Sequence, residues 1–324
     1  MSNTSNSATG VVAAGAAETG EEQSGQNQMG LWLLVAITIF WGVNWPAIKL
    51  SVDEVPVWTY RAICLAAGAL GLFVIARSAG LSLRIPRRDV NWLIVASLGN
   101  ITGWHLFSAI GVSLMLPGRA SILAFTMPLW AAPIAAFWIG EKLGGLRLAG
   151  LAVGLVGLAV LVLPDWEGLL ASPGGPAFML LAAISWAFGT VALKAHKFAM
   201  PTTSLVAWQM VIGGLPILVG ALLFDRDFAP GAVSSLGWWA VVYSALLPMV
   251  FCHWAWFRVV AIYPAVVAAI GTLAIPVVGV ISSALITRDP VGPAEIVSLI
   301  LIIAALFLVL VVPMLQQRRA RARP

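Results

Sequence analysis

Charge is what this sequence has least of. Only 10% of its 324 residues are Asp, Glu, Lys or Arg, and 60% are hydrophobic, whereas soluble domains carry roughly 25% charged residues. A mean hydropathy of +0.97 across the chain excludes a soluble globular domain, intrinsic disorder and a protein held by a single anchor. A multi-span membrane protein is the class that remains.

Carboxylates are missing from the apolar runs: all thirteen lie between those runs or at their ends. The membrane-embedded glutamate that drives proton exchange in small multidrug antiporters is therefore absent, which disfavours cationic drugs as cargo. Cysteine is scarce too. Cys64 and Cys252 sit inside apolar runs without CxxC or Cys/His spacing, so they read as buried free thiols, with no disulfide framework and no zinc site. HExxH, GxSxG and Walker A strings are also lacking, which argues against an enzyme. No cofactor and no metal are expected. The net charge of +5 comes from short basic clusters flanking apolar runs. It forms no continuous face and excludes nucleic acid as a partner. The expected partners are a lipid bilayer and a small-molecule substrate.

Residues 1–28 are rich in Ser, Asn, Thr, Gly and Glu and contain no Lys or Arg. They read as a disordered cytoplasmic tail, since a signal peptide needs a basic start and a stronger apolar core. From Leu31 onward ten apolar stretches of about 20 residues follow, each long enough to cross a hydrocarbon core of roughly 30 Å as a helix. They are Leu31–Leu50, Val57–Ala76, Trp92–Leu114, Arg119–Gly140, Leu146–Pro164, Ala177–Ala195, Thr202–Phe224, Trp238–Val260, Pro264–Ile286 and Ala294–Met314. Transmembrane strands would alternate over about ten residues, so the expected fold class is an all-α integral membrane protein of ten transmembrane helices. With the N-terminus inside, thirteen of the eighteen basic residues fall on the inner side. Both termini are then cytoplasmic by the positive-inside rule, and residues 315–324 form a basic cytoplasmic tail.

The sequence repeats itself. A shift of 145 places Trp41 on Trp186, Ala47 on Ala192, Lys49 on Lys194 and Pro56 on Pro201; a shift of 148 places His105 on His253, Pro128 on Pro276 and Glu141 on Asp289. Each half holds five helices, an odd number, so the halves lie inverted in the membrane. Inverted repeats are the usual build of secondary transporters, with the substrate near the midplane between them.

The string from Phe40 through Trp41, Gly42, Asn44, Trp45 and Pro46 to Lys49, followed by Arg61, resembles the opening of an EamA-type half of the drug/metabolite transporter superfamily. Gly118 to Ser121, Pro128-Leu129 and Gly140 to Leu143 are similar to the end of that half. In the second half, Ser185 to Gly189 and Pro264-Ala265 through Pro276 fit, while Arg288-Asp289-Pro290 replaces the usual Gly-Glu. The resemblance implies two EamA-like repeats, residues 31–164 and 176–314, and a ten-helix carrier of an inner membrane. It also implies export of amino acids or other small metabolites.

His105 and His253 occupy matched places deep in the third and eighth spans. They read either as substrate-bonding or proton-sensitive groups that couple transport to protons, or as imidazoles satisfied by a neighbouring carbonyl. Trp41, Asn44 and Trp45, with Pro46 freeing the carbonyl of Gly42, are expected to line a substrate cavity facing Trp186. An ordinary packing asparagine is the alternative. Arg61 reads as a carboxylate contact or as a cation snorkelling to the outer headgroups, and Lys49 and Lys194 as snorkelling anchors. Glu141 and Asp289 read as caps or charge anchors. Pro46, Pro128 and Pro276 are expected to kink their helices and serve gating, with purely structural kinks as the alternative at Pro128 and Pro276. These residues suit alternating-access transport of a small amphipathic metabolite. A non-transporting receptor or scaffold on the same fold is the alternative, and oligomeric state is not readable from the sequence.

Overall fold

A computed structural model describes residues 6–141, 144–165, 172–263, 272–312 and 315–316, and among these it is all-helical, with no strand. In chain order the helices are α1 (Asn6–Val52), α2 (Val57–Ser78), α3 (Val90–Ser97), α4 (Trp104–Leu114), α5 (Pro117–Ala124), α6 (Met127–Ile139) and α7 (Gly145–Val162). They continue as α8 (Gly174–Ala195), α9 (Thr202–Phe224), α10 (Ser235–Leu246), α11 (His253–Ile262), α12 (Ile275–Ile286) and α13 (Pro293–Leu306). Two π-helical segments, Leu98–Gly103 and Leu247–Cys252, join α3 to α4 and α10 to α11, and a third, Phe307–Val311, extends α13.

Eight helical stretches among the described residues are long and apolar enough to cross a membrane. The fifth and ninth expected spans appear as shorter apolar helices, Leu148–Val162 and Ile275–Ile286. The first part of the ninth, residues 264–271, lies outside the described residues, as do Lys142, Trp166, Glu167 and most of the basic tail.

Two elements differ from the sequence reading. The stretch expected to lack structure is helical from Asn6, so α1 runs 47 residues, about 70 Å at 1.5 Å per residue and far longer than a bilayer core. Its Ala, Glu and Gln content supplies the propensity, which polarity alone does not reveal. The fourth span is broken: α5 ends at Ala124, and α6 starts at Met127 with Pro128 in its first turn. Pro276 has the same place in α12. Proline lacks an N–H and disfavours helix in the residue before it, so Pro128 and Pro276 head new helices and do not kink continuous ones.

Packing follows a scheme in which α2 lies on α9, α7 on α13, α1 on α12 and on α10–α11, and α8 on α4 and α6. The outward faces carry exposed Leu70, Val74, Leu222, Leu223, Leu285 and Ile300. Burial leads instead to a continuous core that includes Tyr60, Leu72, Ile122, Met210 and Ile302. An apolar exterior around a packed interior is what lipid as solvent requires.

Candidate functional site

The two π segments stand at the same place in the two halves and end immediately before the residues singled out by the sequence. Leu98–Gly103 delivers Trp104 and His105, and Leu247–Cys252 delivers His253. A π turn widens the helix and re-aims the next side chains, and such turns recur at functional sites. Pro248 in the second segment supplies a local reason, because it cannot donate a helical hydrogen bond. His253 Nδ1–H donates to the Pro248 carbonyl at 2.9 Å, and Trp41 Nε1 donates to the same oxygen at 3.3 Å. Trp41 thereby meets His253 edge-on, with ring centroids 5.8 Å apart, and leans on Trp256 at 6.2 Å.

On the other wall, small residues let two helices approach closely. Gly99 and Gly103 face Ser185 and Gly189 of α8: a Cβ at Gly99 would lie 2.8 Å from the Gly189 backbone, and one at Gly103 2.8 Å from Ser185 Cβ. Small residues spaced by four on both partners form the membrane version of a close helix crossing. Ser185 Oγ donates to the Gly99 carbonyl at 3.0 Å. The crossing brings Trp104 against Trp186, centroids 5.1 Å apart. Trp104 is a site residue that the sequence reading does not single out, and the Gly99 and Gly103 pair in the turns before it is the signal for it. Trp41 and Trp186 thus have different ring partners, and α4 packs on both α1 and α8.

Asn44 has a buried Oδ1 with no hydrogen-bond partner. Trp45 is buried, and a Cβ at Gly279 of α12 would come within 3.0 Å of its ring. Pro46 sits inside a continuous α1, and the Gly42 carbonyl it frees accepts from Ser282 Oγ at 3.4 Å.

Arg61 corrects one expectation. It is 2% exposed and so does not snorkel. Its Nη2 donates to Ser108 Oγ at 3.0 Å, its guanidinium carbon lies 5.0 Å from the Tyr60 ring centroid, and its Nε has no acceptor. One turn before Ser108, His105 is buried with both ring nitrogens unbonded. The reading of His105 as satisfied by a carbonyl fails, while His253 does have such a partner.

At the helix ends, the two lysines read as snorkelling anchors are ion-paired. Lys194 pairs with Glu141, and Lys49 Nζ lies 2.7 Å from Asp53 and 3.4 Å from the Ser113 carbonyl. Asp289 accepts from the Gly118 N–H at 2.9 Å and from Thr287 Oγ1 at 2.7 Å, an anchoring role of the kind expected. A cavity of about 590 Å³ lined by Gln28, Met29, Trp32, Leu33, Ala36 and Phe251 opens beside α1, and none of the candidate residues lines it. No group of three or more metal-ligating side chains occurs among the described residues.

Comparison with known proteins assigns the chain to a family. The EamA-like transporter family profile matches twice, over residues 28–163 and 174–311. The "Uncharacterized transporter YoaV" of Bacillus subtilis (strain 168) is 25% identical over 85% of this chain and 94% of its own. The "Probable amino-acid metabolite efflux pump" of Escherichia coli (strain K12) is 24% identical over 85% of this chain and 93% of its own. A solved structure, 23% identical, superposes with a TM-score of 0.63 over 92% of this chain and 99% of that one, so the two share a fold. The chain is a multi-pass membrane transporter, and it belongs to the EamA-like family of the drug/metabolite transporter superfamily.

Proposed function

We propose that this protein exports a small neutral or zwitterionic amphipathic metabolite, an amino acid being the leading class, by alternating access between two inverted five-helix repeats. The observation that carries the reading is the matched pair of π segments. They present Trp104 and His105 beside Trp186, and His253 beside Trp41, on helices that correspond between the halves. The packing supports it, because α8 on α6 is the counterpart of α1 on α12, and α2 on α9 and α7 on α13 join corresponding helices. Tryptophan faces offer apolar area and hold an ammonium group, while Asn44 offers both a donor and acceptors. In this reading the helix starts at Pro128 and Pro276 serve as hinges, His105 and His253 couple transport to protons, and both termini lie in the cytoplasm of a cell with an inner membrane. The efflux-pump relative favours amino acids and the outward direction.

The test is counterflow in proteoliposomes loaded with a panel of amino acids. Exchange of unaltered labelled substrate, absent from empty liposomes, is the expected result. Tight binding without exchange would instead make the protein a receptor on this fold.

A further inference from the structure

We infer that Arg61, with Ser108 and His105, forms a carboxylate-binding site, and that the cargo is for this reason an acid-bearing zwitterion and not an amine, an amide or a sugar. The inference rests on the transport reading proposed above and names the end of the substrate that the site recognises.

Arg61 is a guanidinium 2% exposed in a membrane-spanning helix, surrounded by Tyr60, Cys64 and Leu65, all at 1% or less. Arginine does not shed its proton, so it remains cationic there, and a buried cation needs a counter-charge. None is provided: among the described residues Arg61 makes no ion pair. The described carboxylates that are bonded sit at helix ends with other partners, as Asp53 with Lys49, Asp89 with His196, Asp225 with Thr59 and Glu295 with Arg119.

Unused polar atoms lie on both residues that Ser108 joins. Nε of Arg61 has no acceptor, and neither His105 nitrogen is bonded. Ser108 Oγ accepts from Arg61 and donates to the His105 carbonyl at 3.3 Å. A purely structural arginine would spend its fork on helix carbonyls, as Arg226 Nε does on Leu222. Arg61 keeps its Nε free and lies on the face of Tyr60, which leaves an edge of the fork to form the two parallel bonds a carboxylate accepts. In this proposal the His105 imidazole, one turn before Ser108, donates a third. A bound carboxylate neutralises the guanidinium, and the ammonium group of the same zwitterion then needs only ring faces, which Trp41, Trp104 and Trp186 supply. The combination selects a molecule carrying both charges.

The test compares L-leucine with L-leucinamide and L-phenylalanine with L-phenylalaninamide, by thermal shift and tryptophan fluorescence on the purified full chain. The acids are expected to bind at least tenfold more tightly than the amides. Arg61→Gln is expected to remove the preference by weakening the acids while leaving the amides unchanged, and Arg61→Lys to give an intermediate value. Should Arg61→Gln fail to fold, phenylglyoxal modification of the parent protein, read at Arg61 by peptide mass, replaces it, with protection expected from the acids and not from the amides. Equal binding of acids and amides, an acid preference surviving Arg61→Gln, or equal protection would overturn the inference and leave the proposed transport function standing. Binding of none of the four compounds would remove the amino-acid cargo itself.

Discussion

Lys194, in the last turn of α8, is ion-paired with Glu141 just past α6, whereas the residues at the same places in the other half, Lys49 and Asp289, are each bonded elsewhere. Both nonetheless reach the α4–α5 junction, Lys49 at the Ser113 carbonyl in the last turn of α4 and Asp289 at the Gly118 N–H in the first turn of α5. Under the proposed inverted-repeat mechanism, one pair made and its counterpart parted is the asymmetry that one of two alternating arrangements would show.

The first prediction follows from that asymmetry. The Lys194 and Glu141 side chains are 58% and 24% exposed, so the pair contributes only about 0.2–1 kcal/mol, at most about fivefold in an equilibrium. Glu141→Gln should leave the melting temperature nearly unchanged and alter transport by up to that factor. Cysteines at 141 with 194, or at 49 with 289, in a background without Cys64 and Cys252, should each stop transport when bridged and restore it on reduction. Continued transport with 49 and 289 bridged would show that the second pair never closes.

The close crossing of the third span on α8 gives the second. Filling Gly103 or Gly189 drives a side chain into Ser185 or the Asn100 backbone, and overpacking of this kind typically costs about 1–3 kcal/mol. Gly103→Val and Gly189→Val should therefore lower thermal stability and transport together. Gly144, which has nothing within 4 Å of a built Cβ, should accept Ala without effect in the same melting assay.

Much of this was legible from residues alone, and what was not has physical causes. The apolar lengths, the turns between them and the paired histidines are local or periodic signals. The burial of Arg61 depends on Tyr60 and on Ser108, which is 47 residues away and on another helix, so no local window separates it from a snorkelling arginine. Proline at 128 announced an irregularity, but whether a helix bends or restarts depends on what takes up the exposed groups. Here Thr126 Oγ1 donates to the Leu123 carbonyl and receives Trp130 Nε1, which lets the chain restart. Trp104 hid among fifteen tryptophans because its partner comes from the other half.

A third prediction concerns acid. Glu54, between α1 and α2, accepts from the Ser234 hydroxyl and N–H, both at 2.6 Å. The hydroxyl bond first and the N–H bond second hold its carboxyl below the usual range. A depressed folded value means that the contribution is complete above the unfolded pKa of about 4.3 and is lost as pH falls through the lower folded value. Melting temperature should drop as pH is taken below about 4, and Glu54→Gln should flatten that part of the curve. An identical acid limb in the variant would show that the tie does not respond to pH.

Topology can be read with single cysteines in the same cysteine-free background. Asp227, exposed between α9 and α10, and Ser82, exposed between α2 and α3, fall on opposite sides under the positive-inside assignment. An impermeant thiol reagent applied to intact cells should label a cysteine at 227 and spare one at 82. The reverse result would turn the protein over, and with it the direction assigned to export.

The last prediction concerns the aromatic walls and the histidines together. Trp41 is held by the Pro248 carbonyl and the His253 ring, and Trp186 by Trp104, so each wall is a pair whose truncation removes contact area from both members. Trp41→Ala, Trp186→Ala and Asn44→Ala should each abolish most transport at normal membrane expression. Trp239→Ala, at a side chain 71% exposed, should not. The histidines separate binding from coupling. If they carry protons, His105→Gln or His253→Gln flattens the dependence of transport on pH. His253 spends Nδ1–H on the Pro248 carbonyl and keeps Nε2 for such a role, whereas His105 has both nitrogens uncommitted one turn before Ser108, which Arg61 bonds. Replacing His105 should therefore also weaken acid binding, and replacing His253 should not. Equal loss of acid binding in both variants would mean that the two walls close on the substrate as one.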